Sequence, residues 1–600
     1  MPTVTRRRLP ASRRREIYRI LKSTGTYADT LLALGAAELL ARLGGDDVVV
    51  AVIDRDDGFE VRCSRTVTAA AVDGSPVLLY PHVNLAKGDD RGVAGVVIHY
   101  AEDRERRASR RDAEPGRTRS TRRRRRRGQP QLPTEVADAV ADQEALDPSM
   151  YLVGRLNEVD RATTVKRGNS LRSAMAAMSG DDLEIVIRAL EVGWAPARRD
   201  LTRRFKRETL GQTLNPHAGK GTNRPKPDGA RRENLDAPAI EEWLKYAGLY
   251  SHAYARRVPT SENSADVEIL VPMPLEIAVD TAREVMAKLR NARIGGRSVK
   301  FEILTVIAYA EILVLHHRAN VADALYRRHR LNRIVSGIQV AYFRDLGGGK
   351  AVTGLYTLGL PGWFDLTGPA DVEAYLSLLD EHRKCLYSLD EGRSDEMGLL
   401  LGYRDFLSKE DMADFLVFLV DYGEFVLKAW AGGDRPRPRR FGEDGVRRIV
   451  GGDTEMKLSE AIEQAGFRNV ARAIRRSTVS EMYWKTERND QIYEIRYGLG
   501  QDLKRKARRP DEFLAGLAGF IHSYNEENAR VREQFSKPGR DLALHRRRAD
   551  VSDADLDAVV HLVEESENPE AVAVLLVAYG FTRAHREAEG EPADQSQAAI

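Results

Sequence analysis

Apolar and polar positions follow two rhythms along the chain. Between positions 27 and 43, Leu31, Leu34, Leu39, Leu40 and Leu43 recur at helical spacing. This predicts an amphipathic helix, stopped by Gly44-Gly45. The run VVVAVID at 48–54 and the run FEVRC at 59–63 are rich in β-branched and apolar residues around Asp56-Asp57-Gly58, which predicts a hairpin. Further strands are expected at 77–80 (VLLY) and 93–100 (VAGVVIHY), so the first unit reads as α+β. Positions 151–208 read as helical, with Leu183, Ile185, Val186, Ile187 and Leu190 supplying a core face. A short helix is expected at 239–249 around Trp243 and Leu244, then a strand at 267–274 that Pro272 and Pro274 end. Helices follow at 281–289 and from 299 through His316-His317. Two β-rich arms at 335–361 flank Gly347-Gly348-Gly349 and predict a second hairpin. From 371 onward the rhythm is helical.

These elements divide the chain as follows. An N-terminal α+β unit occupies 1–103 and an Arg-rich disordered loop or linker 104–133. A central mixed α/β portion covers 134–370, and a helical connector 371–431. A linker at 432–455 leads to a C-terminal helical bundle at 456–585 and a disordered acidic tail at 586–600. In the bundle, Leu458, Ile462, Val470 and Ile474 fit the first helical faces, and Phe513, Leu514, Leu517 and Ile521 a later one. The expected fold class is therefore α+β: a mixed N-terminal and central α/β portion followed by a C-terminal all-α helical bundle. No solenoid-like internal repeat is visible.

Composition sharpens this picture mainly through charge. The 600 residues are 42% hydrophobic, enough for packed cores, and 31% charged. The net charge of +4 hides segregation. Positions 104–127 hold 13 Arg against three acids, 198–232 hold 11 Lys or Arg against three acids, and 550–600 hold 12 acids against two Arg. Separate basic stretches with an acidic tail suit a polyanionic partner. Cys63 and Cys385 are the only cysteines, too few for a thiolate zinc site or a disulfide framework, and a reducing cytoplasmic setting is expected. No signal peptide or 18-residue apolar run is visible, so no membrane association is expected.

Candidate chemistry follows the charge. The loop LNPHAGKGTNRPKPD at 214–228 combines Gly freedom with Asn215, Lys220, Asn223, Arg224 and Lys226, a donor set suited to phosphates or base edges. It reads equally as a basic surface loop between domains. The run Arg122, Arg123, Arg124, Arg125, Arg126 and Arg127 either tethers two units or grips phosphates without sequence preference. Lys350 follows the triple glycine, but Ala351 comes next, so no Walker loop exists. That hairpin tip is a plain turn or a nucleic-acid-probing one. In the C-terminal unit, Arg475 and Arg476, with Lys504, Arg505 and Lys506, are expected to form basic patches on one face. No HExxH, HD pair or GxSxG elbow appears, and the Asp54, Asp56 and Asp57 cluster is accounted for by its turn. No catalytic residue, metal or cofactor is expected, and the chain reads as a binding component.

Several of these stretches carry a resemblance. NPHAGKGTNRPKPDG followed by WLKYAGLY at 243–250, TGTYADTLLALGAAELLARLG at 24–44, GFRNVARAIRRSTVSEMYW at 466–484 and YEIRYGLGQDLKRKA at 493–507 resemble the large subunit, the Cas-eight group, of type I CRISPR interference complexes (Cascade). The resemblance implies a ribonucleoprotein role in antiviral defence. The partners it implies are CRISPR RNA, double-stranded target DNA and its displaced single strand, the Cascade backbone and small subunits, and a helicase-nuclease. It implies recognition of the protospacer-adjacent motif and help with R-loop formation. It further implies that the C-terminal bundle is akin to the small subunit; Met456, just beyond the linker, would suit an internal start. The alternatives are a metal-dependent nuclease with unrecognised ligands and the scaffold of another ribonucleoprotein.

Overall fold

The computed structural model describes residues 16–69, 75–84, 93–99, 165–218, 235–260, 265–292, 294–320, 322–346, 350–433, 437–452, 458–536 and 542–584. The chain opens with β1 (Ile17–Leu21), α1 (Tyr27–Gly44), β2 (Val50–Asp54) and β3 (Gly58–Cys63). Thr26 caps α1 by accepting the Ala28 N–H, and Gly45 ends it at φ 71°. The β2–β3 hairpin turns through Asp56, which is left-handed at φ 58°. Strand β1, which no expected element covers, pairs with β3.

The expected strand at 77–80 does not form. Val77 and Tyr80 are buried there as packing residues, and the Tyr80 hydroxyl donates to the Gly168 carbonyl at 3.0 Å. Instead β4 (His82–Asn84) and the short β5 (Val97–His99) make a parallel pair. Next come α2 (Lys166–Met175), α3 (Gly180–Val192), α4 (Trp194–Arg204), β6 (Arg207–Thr209), β7 (Asp236–Pro238) and α5 (Ala239–His252). The central portion continues with β8 (Tyr254–Pro259), β9 (Ala265–Pro274), β10 (Glu276–Ala278), α6 (Val279–Asn291), α7 (Val299–Asn320), α8 (Ala322–Arg328), β11 (Val335–Asp345) and β12 (Lys350–Gly359).

Two four-stranded antiparallel sheets result. The first has the order β1-β3-β2-β10, the second β12-β11-β9-β8. Strand β9 runs through Pro272 because β8 pairs only as far as Leu270. Beyond that point β9 is an edge on that side, where a missing N–H costs no ladder bond. The second sheet separates two cores. Val267, Ile269, Val271, Ala341 and Phe343 face a core built on α1, α3 and α5. Leu270, Ile338, Val340 and Leu358 face the other, which continues without interruption to Phe581. This alternation is the two-residue period of a strand buried on both faces.

The remaining helices are α9 (Pro369–Tyr387), α10 (Ser394–Lys409), α11 (Met412–Ala431), α12 (Glu443–Gly452), α13 (Ser459–Glu463), α14 (Ala465–Ser477), α15 (Val479–Arg488), α16 (Leu499–Lys506), α17 (Pro510–Phe535), α18 (Asp553–Glu564) and α19 (Pro569–Phe581). The fold is thus α+β with a helical C-terminal part. The stretch expected to link the two helical parts, 432–455, carries α12, whose Val446, Ile449 and Val450 are buried. Helix α11 lies against the C-terminal helices: a Cβ on its Gly423 would fall 2.4 Å from the Phe581 ring, and Glu424 accepts the Gly500 N–H at 2.9 Å. A strap at 542–551, with a 3-10 turn at Leu544–Arg546, inserts Arg546 and Arg548 between α15 and α17, where they meet Glu481 at 2.9 Å and Glu527 at 3.4 Å. No described helix is long and apolar enough to cross a membrane.

Candidate nucleic-acid interface

The basic loop is rooted in a buried chain of charges. Its entry, a turn at 215–218, is closed by the Ala218 N–H donating to the Asn215 carbonyl at 2.9 Å. Its exit is β7, which pairs with β6. Beneath the root lies α5, carrying Glu241, Glu242 and Lys245. Lys245 Nζ donates to Glu241 Oε1 at 2.8 Å and to Asn215 Oδ1 at 2.7 Å. Asn215 Nδ2 donates to Glu242 Oε1 at 2.7 Å, and the Gly211 N–H to Glu242 Oε2 at 2.9 Å. At the two ends stand partly exposed arginines: Arg198 of α4 lies 3.2 Å from Glu241, and Arg167 of α2 3.2 Å from Glu242. Burial pushes the Glu241 carboxyl up, but Lys245, Arg198 and the Trp194 indole more than offset this and hold it below its ordinary range. Each interior charge is thus paired, the condition under which burial is tolerable.

The same root meets the second hairpin. The Lys350 N–H, at the start of β12, donates to Gln212 Oε1 at 3.0 Å. Two stretches 138 positions apart in sequence are therefore brought together. Around them Arg199, Arg203, Arg204, Lys206 and Arg207 are exposed on α4 and at β6, and Arg344 is exposed on the hairpin. Several are paired in part, as Arg203 with Asp200 at 3.5 Å and Lys206 with Glu208 at 3.6 Å. Arg204 is the exception, bound to the largely buried Asp182, whose carboxyl it holds down to about 2; the others remain in water, where phosphate oxygens can replace a weak surface partner. His217 is half-buried in the turn. Burial, then the charge of Lys245, holds its imidazole below its ordinary range and so neutral.

The expected site residues separate into three groups. Arg122, Arg123, Arg124, Arg125, Arg126 and Arg127, and Lys220, Asn223, Arg224 and Lys226, lie outside the described residues. Lys350 is half-buried at the root. Asn215 is fully buried, so it cannot meet a nucleic acid directly; its amide ties the loop to α5 instead. In the C-terminal part the expectation of one basic face does not hold. Arg475 is an interior residue, 3% exposed, bonded to Glu443 at 3.2 Å, the Tyr579 carbonyl at 3.1 Å and Thr582 Oγ1 at 3.0 Å. Arg476 is half-buried and donates to the His545 carbonyl at 3.2 Å. Lys504 is turned toward α11 and pairs with Asp421. Arg505 is exposed beside Asp502 at 2.7 Å, and Lys506 is held by the same carboxylate at 2.7 Å.

Sequence reasoning missed Arg167, Glu241, Glu242 and Lys245. The Glu241 to Lys245 spacing of four on a helix was the available sign of a pair. Among the described residues, no group of three or more His, Cys, Asp or Glu side chains is placed to hold a metal ion. His316 and His317 are buried in α7, the latter bonded through Nδ1 to the Leu313 carbonyl at 2.9 Å. No protein-family model matches the chain, and no curated protein matches it.

Proposed function

We propose that this chain is a nucleic-acid-binding subunit of a ribonucleoprotein, specifically the large subunit of a type I CRISPR surveillance complex. In that role it recognises the protospacer-adjacent motif in duplex DNA, aids R-loop formation and recruits the helicase-nuclease. The observation that carries the nucleic-acid reading is the joining of the loop root to the start of β12, with exposed cations of α4 and β6 nearby in sequence and fold. A buried ion chain under a loop fixes the direction in which that loop leaves the protein. Lys220, Arg224 and Lys226 follow that root in sequence and are the cations proposed to meet phosphates or base edges. The CRISPR assignment rests on the sequence stretches at 24–44, 214–250, 466–484 and 493–507.

The test is purification of the tagged chain from cells that also express a CRISPR array and its neighbouring backbone-subunit genes. The proposal expects the chain to bring down a guide RNA with a constant repeat-derived 5′ handle, together with those subunits. Recovery of the chain alone, free of RNA and partners, would reject the CRISPR assignment. Recovery with unrelated RNA would favour another ribonucleoprotein.

A further inference from the structure

On the helical side of the second sheet, two glutamates are buried against each other. Glu268 of β9 is fully buried and Glu302 of α7 is 2% exposed. Arg256 of β8 donates through Nε to Glu268 Oε2, and its guanidinium lies 3.5 Å from the centre of the Phe301 ring. The Tyr356 hydroxyl of β12 donates to Glu302 Oε1 at 2.7 Å. Arg404 of α10 lies 5.4 Å from the centre of the Tyr356 ring. Tyr342 of β11 feels the Glu268 charge but donates its own hydroxyl to Asp266 at 3.0 Å. The second oxygen of each glutamate, Glu268 Oε1 and Glu302 Oε2, is buried with no hydrogen-bond partner, and the two carboxyls lie close enough to act on each other. Ionised carboxylates only accept hydrogen bonds, so neither orphaned oxygen can be satisfied by the other unless one of them carries a proton.

We propose that Glu268 and Glu302 share a single proton and form a pH-sensitive joint between the sheet and the helices α7 and α10, one that opens more readily as pH rises because opening releases that proton. The one arginine in direct contact, Arg256, neutralises one negative charge of the pair, and the proton removes the other. Burial above all lifts the Glu268 carboxyl to about 8, with the neighbouring Glu302 charge adding to it, and burial also raises Glu302. An opened joint exposes both groups to water, where they ionise in the ordinary glutamate range. Between that range and about pH 8 the closed state holds one more proton than the open one. Opening is therefore favoured by up to about tenfold per pH unit across this window and levels off above it.

Hydrogen exchange of the full chain between pH 6 and 8.5, corrected for intrinsic rates, reads this directly. Opening of β8, the first half of β9, the first turns of α7 and β12 should rise by about tenfold per pH unit up to pH 8. Exchange in α1 and α5 should show no such rise. Glu302→Gln, which supplies its own amide donor to Glu268, should flatten the dependence. Infrared difference spectra of the wild-type chain supply a second measurement that needs no variant. A protonated-carboxyl band at pH 7, lost above pH 8.5, is expected. Equal corrected pH dependence in the joint and in α1, or absence of that band at pH 7, would overturn the proposal.

Discussion

Lys245 shows how one side chain holds the loop root in place. It is 3% exposed and spends its ammonium on Glu241 and Asn215. Lys245→Met keeps the length of the side chain but leaves a buried carboxylate and a buried amide oxygen unpartnered. We expect this to destabilise the chain by about 3–5 kcal/mol in denaturant unfolding. Affinity for nucleic acid should fall as well, since the loop then leaves an unanchored root. Asn215→Asp tests the direction of the argument: a second anion beside Glu242 should destabilise, although it leaves the loop's cations untouched. At this scale the sequence was only partly legible. Asn215 and Arg475 read as ligands because polar residues usually face water, and nothing in their neighbours' identity reveals that they point inward. What turns them is tertiary pairing with Glu242 and Glu443, 27 and 32 positions away.

Among elements, the crossing of α1 and α5 is the closest contact in the N-terminal core. A Cβ on Gly35 would fall 1.8 Å from the Leu244 carbonyl oxygen, and one on Gly248 2.2 Å from that of Leu31. Neither obstacle is a flexible side chain, so the helices would have to separate. Gly248→Ala is therefore expected to lower stability by about 1–3 kcal/mol and to loosen the loop root that α5 carries. The control is Gly398→Ala in α10, an exposed helical glycine with nothing within 4 Å of its would-be Cβ. It should raise stability by about 0.5–1 kcal/mol in the same thermal or denaturant scan. Long periodic elements were readable: α1, α5, α7 and the β11–β12 hairpin all lie where the rhythm places them. The short strands were not. β1 is decided by β3, some 45 positions on, β8 and β4 are short strands that the pattern did not separate from their surroundings, and the run at 77–80 has strand composition but forms no strand.

For the whole molecule, the second sheet divides one core from another, and the core on its helical side extends from Tyr254 to Phe581. The C-terminal helices share that core with α11, through Gly423 against Phe581 and Asp421 against Gln501 at 2.7 Å. A fragment from Met456 to the end would expose this seam. We expect it to be poorly folded alone by circular dichroism and to gain helix and solubility when extended to include α9–α11. A cooperatively folded, monomeric 456–600 fragment would show that the bundle is self-sufficient. Shared cores were illegible in the sequence because amphipathic faces record that a helix is covered, not by what. The central claim, that the rooted loop binds nucleic acid through its charges, is tested most directly by equilibrium binding of the full chain to duplex DNA over a salt series. Log affinity should fall linearly with log salt, and Lys220→Ala with Arg224→Ala should reduce that slope by about two while leaving the unfolding midpoint unchanged. Identical slopes and affinities for wild type and double variant, or no salt-dependent binding at all, would contradict it.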